Sequence, residues 1–284
     1  MPRRTVIAHY PAQRDDIGDL ITRRPLPGPS LEQLDPFLFL NHHGPQTYPP
    51  GNAGLPFGPH PHRGFETVTF ILAGELAHLD SGGHESIIRA GGIQWMTAGS
   101  GLLHAELSPQ SFKDAGGPLE ILQLWVNLPA RHKMTTPAYT GLQREQIPQV
   151  DSGSTRVAVV SGEYADTAGA IQSLTGVCLL TVEMDAGARI ELPAPAGRNL
   201  FFYLVSGRAT IADQTVHAHH LARFDEQGDS LVVDASEPTT LLYGHADIIG
   251  EPMVTYGPFV MNTREEIRQA MADYQAGKFG DVPG

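Results

Sequence analysis

Short apolar runs, each cut off by glycine, proline or a polar cluster, recur along the whole chain. Runs of that length with turn residues at both ends read as β-strands. A first series covers Thr5–Ala8, Phe37–Leu40, Glu66–Leu72, Leu76–Asp80, Ser86–Arg89, Ile93–Met96 and Leu119–Asn127. Leu128 to Pro137 reads as a connection. A second series begins near Arg156, with Val157–Ser161, Cys178–Met184, Arg189–Leu192, Leu200–Val205, Ala209–Ile211, Leu221–Phe224, Leu231–Asp234 and Thr240–Tyr243. Many short strands with frequent turns predict an all-β sandwich or barrel. The period changes only near the C-terminus. Thr263-Arg-Glu-Glu266 is a capping box, Ile267, Ala270, Met271 and Tyr274 fall on one helical face, and Gly277 supplies the stop. A helix packed on a barrel is expected there.

The two series look like copies. Phe70-Ile-Leu-Ala-Gly74-Glu-Leu-Ala matches Tyr203-Leu-Val-Ser-Gly207-Arg-Ala-Thr in pattern, an apolar strand stopped by glycine and restarted after it. Two barrels are therefore expected, divided as residues 1–135 and 136–284, with the C-terminal helix in the second. Aligning Gly74 with Gly207 sets His60 on Pro193, His62 on Pro195 and Glu66 on Asn199. That matters because the first copy carries histidines the second lacks.

Those histidines form two doublets, His60-Pro-His62 and His104-Ala-Glu106. Side chains two apart on a strand point to the same face. Two neighbouring strands with one doublet each can aim three imidazoles and a carboxylate at one point, a ligand set suited to a first-row transition metal. Glu66 shares the parity of His60 and His62 and would face inward as well if one unbroken strand carried all three. Spacing alone does not separate a closed four-coordinate site from an open one. The absence of cysteine ligands leans towards a catalytic or redox-active ion. In the second copy His217 and His219 share a parity, but no second doublet completes them. They and His245 are expected to be structural or on the surface.

Composition narrows the classes. The formal net charge of −12 argues against nonspecific binding to nucleic acid, which needs clustered Lys and Arg. No zinc-finger or helix-turn-helix pattern is present. The single cysteine, Cys178, sits in an apolar run, excludes an intramolecular disulfide and reads as a small buried hydrophobe. Met1-Pro-Arg-Arg has no apolar core behind it, and no apolar run approaches the roughly 20 residues that span a bilayer. A cytoplasmic protein without membrane contact is expected. No heptad or apolar stripe calls for assembly, so a monomer is expected.

His60-Pro-His62-Arg-Gly-Phe-Glu66-Thr-Val, Gln94-Trp-Met-Thr-Ala-Gly99 and Leu103-His104-Ala-Glu106 resemble the pirin family. So do Asp35-Pro-Phe-Leu, Leu122-Gln-Leu-Trp-Val-Asn-Leu-Pro129 and Gly257-Pro-Phe-Val-Met-Asn262. The resemblance runs over nearly the whole chain. It implies two tandem cupin (jelly-roll-like) β-barrels with one metal, usually iron, in the N-terminal one. It implies His60, His62, His104 and Glu106 as metal ligands. A general cupin pattern would use Glu66 instead, and Glu66 is expected here as an acid behind the ligands or as a packed, hydrogen-bonded acid. Fe(II) is the ion expected first, with Zn, Ni, Cu, Mn or Co as ions a purified sample could carry. The chain departs from its relatives at Asn41, where they carry Asp, and at His43, where an aromatic is common. Arg63, on the opposite parity to the ligands, is expected to pair with an acid outside the barrel.

Two functions follow from the resemblance. Several pirin-like proteins are linked to quercetin 2,3-dioxygenase activity, which opens a flavonol ring with dioxygen and releases carbon monoxide. A small aromatic substrate and dioxygen would then be the partners, with Glu106 or Glu66 taking the hydroxyl proton. Animal pirins are described instead as iron-dependent regulators that bind protein partners. There the ion would act as a redox or structural switch. An enzyme needs a cavity beside the metal, whereas a regulator needs only a sealed ion and an exposed patch.

Overall fold

The chain was analysed as a computed structural model that describes residues 3–282. It forms two compact units. One is drawn from Arg14–Arg23, Phe37–Glu145 and Ile249–Gly284, the other from Met1–Gln13, Arg24–Pro36 and Gln146–Ile248. The division does not follow residues 1–135 and 136–284, because both chain ends cross over. The strand Val6–Pro11 pairs with His220–Phe224 in the later unit. The helix Arg264–Gln275 and the hairpin Val254–Tyr256 with Phe259–Met261 belong to the earlier one. In both barrels one further strand lies beside Ile93–Thr97 or its counterpart His220–Phe224. Ala138–Leu142 fills that place in one unit and Val6–Pro11 in the other.

Each unit folds a larger antiparallel sheet and a four-stranded one, with the same topology. In the earlier unit five strands of the larger sheet run in the order Ala138–Leu142, Ile93–Thr97, Phe65–Ala73, Gly117–Asn127 and Phe37–Tyr48. In the later unit the order is Val6–Pro11, His220–Phe224, Arg198–Ser206, Thr239–Asp247 and Cys178–Met184. The four-stranded sheets match too. Phe57–His62, Leu102–Leu107, Glu75–Asp80 and Glu85–Arg89 correspond to Arg189–Pro193, Ser230–Ala235, Arg208–Ile211 and Gln214–His217. Gly74 and Gly207, the anchors of the sequence repeat, both follow nine-residue strands and have φ of 82° and 83°. Only glycine adopts such a turn without strain. The chain is therefore two barrels with an appended helix, as its pattern predicts. Among the described residues no helix is long and apolar enough to cross a membrane.

The later unit buries a continuous apolar core that includes Leu192, Ala194, Phe202, Leu231, Val233 and Tyr243. Pro193 stands opposite Ser230 in its small sheet, as His60 stands opposite His104 in the other. No ligand remains at these positions. Instead Arg4, buried, donates to the main-chain oxygens of Ala194, Pro195, Arg198, Asp225 and Gly228 at 2.5–3.3 Å. A guanidinium thus fills the rim where the other barrel carries its histidines. His217 is exposed at a strand end and His219 lies in a left-handed turn (φ 62°), so the two do not share a strand face. His245 and Cys178 are buried neighbours across one ladder.

The C-terminal helix Arg264–Gln275 starts at Thr263 with both arms of the capping box formed. Ile267 and Ala270 are buried, but Tyr274 is 41% exposed. Asp273 is buried beside them, because it meets an arginine of the barrel.

Candidate metal centre

His60 and His104 lie directly opposite each other across the antiparallel ladder of Phe57–His62 and Leu102–Leu107. His62 stands two residues along on the same face. The three imidazoles converge, with one ligand atom from each lying within 4.8 Å of the others. Their ring centroids are 4.3 Å (His60 to His104), 4.9 Å (His60 to His62) and 4.9 Å (His62 to His104) apart.

Each ring is oriented in its own way. His60 Nδ1 lies 2.8 Å from the Gly58 carbonyl and His62 Nδ1 lies 3.4 Å from that of Pro258. A carbonyl only accepts, so both Nδ1 atoms carry the proton and both Nε2 lone pairs are left for an ion. His104 is buried with neither ring nitrogen partnered. A buried polar atom without a partner is costly and uncommon in a folded protein. An ion at the triad would take the lone pair that the protein leaves bare. Burial, with His60 adjacent, pushes the His62 imidazole down to about 3. Burial and the neighbouring histidines hold His104 well below its usual range. Both rings are therefore neutral at pH 7, the form that ligates. The donor set fits a first-row transition metal.

The two acids are placed differently. Glu106 shares a strand face with His104, since the ladder to Glu75–Asp80 is regular through His104–Asp80 and Glu106–His78. Its carboxylate accepts from Thr69 Oγ1 at 2.9 Å and Gln123 Nε2 at 2.5 Å. It is not among the converging ligand atoms of the triad. It lines a recess with His43, Phe57, Leu55, Ile121 and Gln123. Glu66 faces away. The strand that carries His60 and His62 ends at His62, and a new one begins at Phe65 in the other sheet. Gly64, at φ 88°, turns the chain between them and reverses the parity. Beyond the turn, Thr69 reaches Glu106 and Phe65 touches His62, whereas Glu66, at odd spacing from both, points to the opposite face. There it accepts from Trp95 Nε1 and Thr97 Oγ1. Burial pushes its carboxyl up, against those two hydrogen bonds.

One group escapes a reading by motif. His78, buried, lies 5.5 Å from His104 between ring centroids and stacks on Tyr139 at 3.8 Å. Its Nε2 contacts Asp80 at 2.9 Å, and His84 Nδ1 contacts the same carboxylate at 3.0 Å. Burial alone would raise the Asp80 carboxyl, but the hydrogen bonds from His78 and His84 outweigh it and hold it at about 2. The signal was present in His78-Leu-Asp80, a third doublet on the next strand of the same sheet. His43 is buried, with Nδ1 2.9 Å from Thr22 Oγ1 and its ring 5.2 Å from Phe57. It is part of the recess wall. Arg63 does pair with an acid away from the ligands, donating to Asp273 at 2.8 Å.

Comparison with known proteins agrees with this architecture. The family model Pirin matches residues 19–126, and the Pirin C-terminal cupin domain matches residues 179–280. Human pirin is 40% identical over 277 residues, covering 94% of this chain and 90% of the relative. A Pseudomonas aeruginosa protein, named provisionally as a quercetin 2,3-dioxygenase, is 37% identical over 250 residues and 87% of each chain. The crystal structure of a quercetin 2,3-dioxygenase from Acinetobacter baumannii superposes with a TM-score of 0.93 at 33% identity, covering 99% of this chain and all of that one. With both barrels matched and such relatives spanning nearly its full length, this chain belongs to the pirin family of bicupins.

Proposed function

We propose that the protein is a mononuclear metal oxidoreductase of the quercetin 2,3-dioxygenase type, opening a flavonol-like ring with dioxygen. The observation that carries this reading is the triad of converging imidazoles, with His104 left unpartnered and on the same strand face as an acid. The names of the Pseudomonas and Acinetobacter relatives support it.

His60, His62 and His104 would hold the ion, with Fe(II) the first choice. When bound, the ion supplies Lewis-acid and dioxygen chemistry. Glu106 takes the substrate hydroxyl proton as general base. Thr69 and Gln123 fix the direction of its carboxylate, one on each oxygen. Each carboxylate oxygen still has a lone pair to offer. His43 and Gln123 add polar groups to a wall otherwise built from Leu55, Phe57, Leu76 and Ile121. That mix suits a flat, partly polar ring.

A second reading has its own support. The recess at Glu106 encloses at most about 190 Å³, open mouth included. Pockets for drug-sized ligands usually run to about 300–1,000 Å³. A recess this tight beside Glu106 suits a small substrate, or an iron-dependent regulator that turns over none and acts through a protein partner.

Dioxygen uptake with quercetin, on the Fe(II)-reconstituted protein beside a His62→Ala control and with metal content assayed in both, separates them. Turnover that disappears in the control supports the enzyme. A full complement of iron without turnover overturns it and favours the regulator.

A further inference from the structure

The segment after Val254 is built into the wall behind the histidines. The Pro258 carbonyl meets His62 Nδ1 at 3.4 Å and also accepts from the Arg63 main chain at 3.3 Å. The Val260 amide returns a hydrogen bond to the Arg63 carbonyl at 3.1 Å. Lys133, buried, donates all three of its protons, to the carbonyls of Gly64 and Val260 at 2.9 Å each and to Asn127 Oδ1 at 2.7 Å. It thereby ties the turn after His62 to the same segment. At Gly64 a side chain would run into the Val260 carbonyl, so the two backbones touch there.

Arg63 completes the attachment. Its Nε donates to the Ser100 carbonyl at 2.7 Å and Nη1 to Asp273 at 2.8 Å, and its guanidinium lies 4.7 Å from the centre of the Phe279 ring. Asp273 in turn accepts from Gln269 and Lys278. The apolar side of the segment, Phe259, Met261, Ile267, Ala270 and Phe279, packs against Leu103, next to His104. One segment thus grips both histidine-bearing strands, through Arg63 on one and Leu103 on the other.

We propose that Val254 to Phe279 is a positioning element of the metal centre, orienting His62 through Pro258 and Arg63 and setting how fast the ion leaves. This rests on reading His60, His62 and His104 as metal ligands. Asp273 and Arg63 are positioning residues, since neither touches the ion. Loss of a group that orients a ligating imidazole commonly costs 10–100-fold in metal affinity.

The test uses the full-length protein loaded with Co(II), whose visible spectrum reports ligand geometry. Release is followed after adding excess chelator. Asp273→Asn, which keeps the shape and removes the charge, is expected to speed release about tenfold and to alter the Co(II) bands. Arg268→Ala, at an exposed position of the same helix, is expected to change neither. Should Arg63→Ala fail to fold, Arg63→Lys, which keeps the charge but not the two-armed contact, is expected to fall between wild type and Asp273→Asn. A folded Asp273→Asn protein with wild-type release and spectrum overturns the inference and leaves the metal site standing. A wild-type protein that takes up no Co(II) overturns both.

Discussion

Replacing His104 by leucine should make the metal-free protein more stable while abolishing metal binding. His104 is buried, and both of its ring nitrogens lack a partner. Each buried polar group left unpaired costs about 1–3 kcal/mol. Leucine removes both atoms and retains an apolar side chain against His60, His62 and His78, whose ring centroids surround it at 4.3–5.5 Å. Taking the lower end for each nitrogen gives a gain of about 2 kcal/mol. Urea denaturation of both proteins in chelator should show a higher midpoint for His104→Leu at unchanged slope. The wild type should then gain about 2.7 kcal/mol at free metal a hundredfold above its dissociation constant, and the variant nothing. A metal-free variant less stable than wild type by 1 kcal/mol or more would refute the reasoning. The ring would then be packing the barrel rather than waiting for an ion.

Three further outcomes can be measured directly. Burial, with Arg198 and Arg4 nearby, pushes His245 down to about 4. The unfolded chain therefore binds a proton below pH 6.5 that the fold refuses, and this ring's share of the stability should fall by about 1.4 kcal/mol per pH unit from 6.5 towards 4, on top of the like contributions of His62 and His104. His245→Gln should flatten that part of a denaturation-versus-pH profile by about 2 kcal/mol at pH 5, and an unchanged profile would count against a neutral buried ring. Gly64→Ala should cost about 2–4 kcal/mol, from the positive φ and the overlap with the Val260 carbonyl, with less than 1 kcal/mol in urea telling against that contact. Arg4→Ala should cost at least about 3 kcal/mol by leaving carbonyls of the later barrel unmet, and a thermal midpoint within a degree of wild type would show the guanidinium to be dispensable.

The site was legible where the chemistry follows a local period. His60, His62 and His104 could be joined because residues two apart on a strand share a face, and their strands are neighbours in one sheet. Glu66 marks the limit of that rule, which would face it inward only along one unbroken strand. The parity count ran through Gly64, and a single residue with φ of 88° ended one strand and began another on the other sheet. A motif string shows that a glycine is there but not which way the chain leaves it. Asp273 was hidden for a different reason. The helix was read from its apolar stripe, and a carboxylate on a buried face makes sense only once Arg63 is found opposite it. Lys133 sits in a segment read as a mere connection, yet it is among the most deeply buried side chains. Its three acceptors lie 69, 6 and 127 residues away, and no window along the sequence contains them.

The two barrels together separate fold from function. Strand order, ladder register and the glycine turn after the central strand are common to both. What differs is the inward pair of the small sheet, His60 and His104 in one, Leu192 and Leu231 in the other. Where the pair is histidine, His104 carries two ring nitrogens without a partner, one of which an ion would take. Where it is leucine, the pair joins an apolar core, and Arg4 meets five main-chain oxygens of the same unit. The converging triad found among the described residues lies in the earlier unit, which is why the stability of that unit should depend on metal while that of the later unit should not.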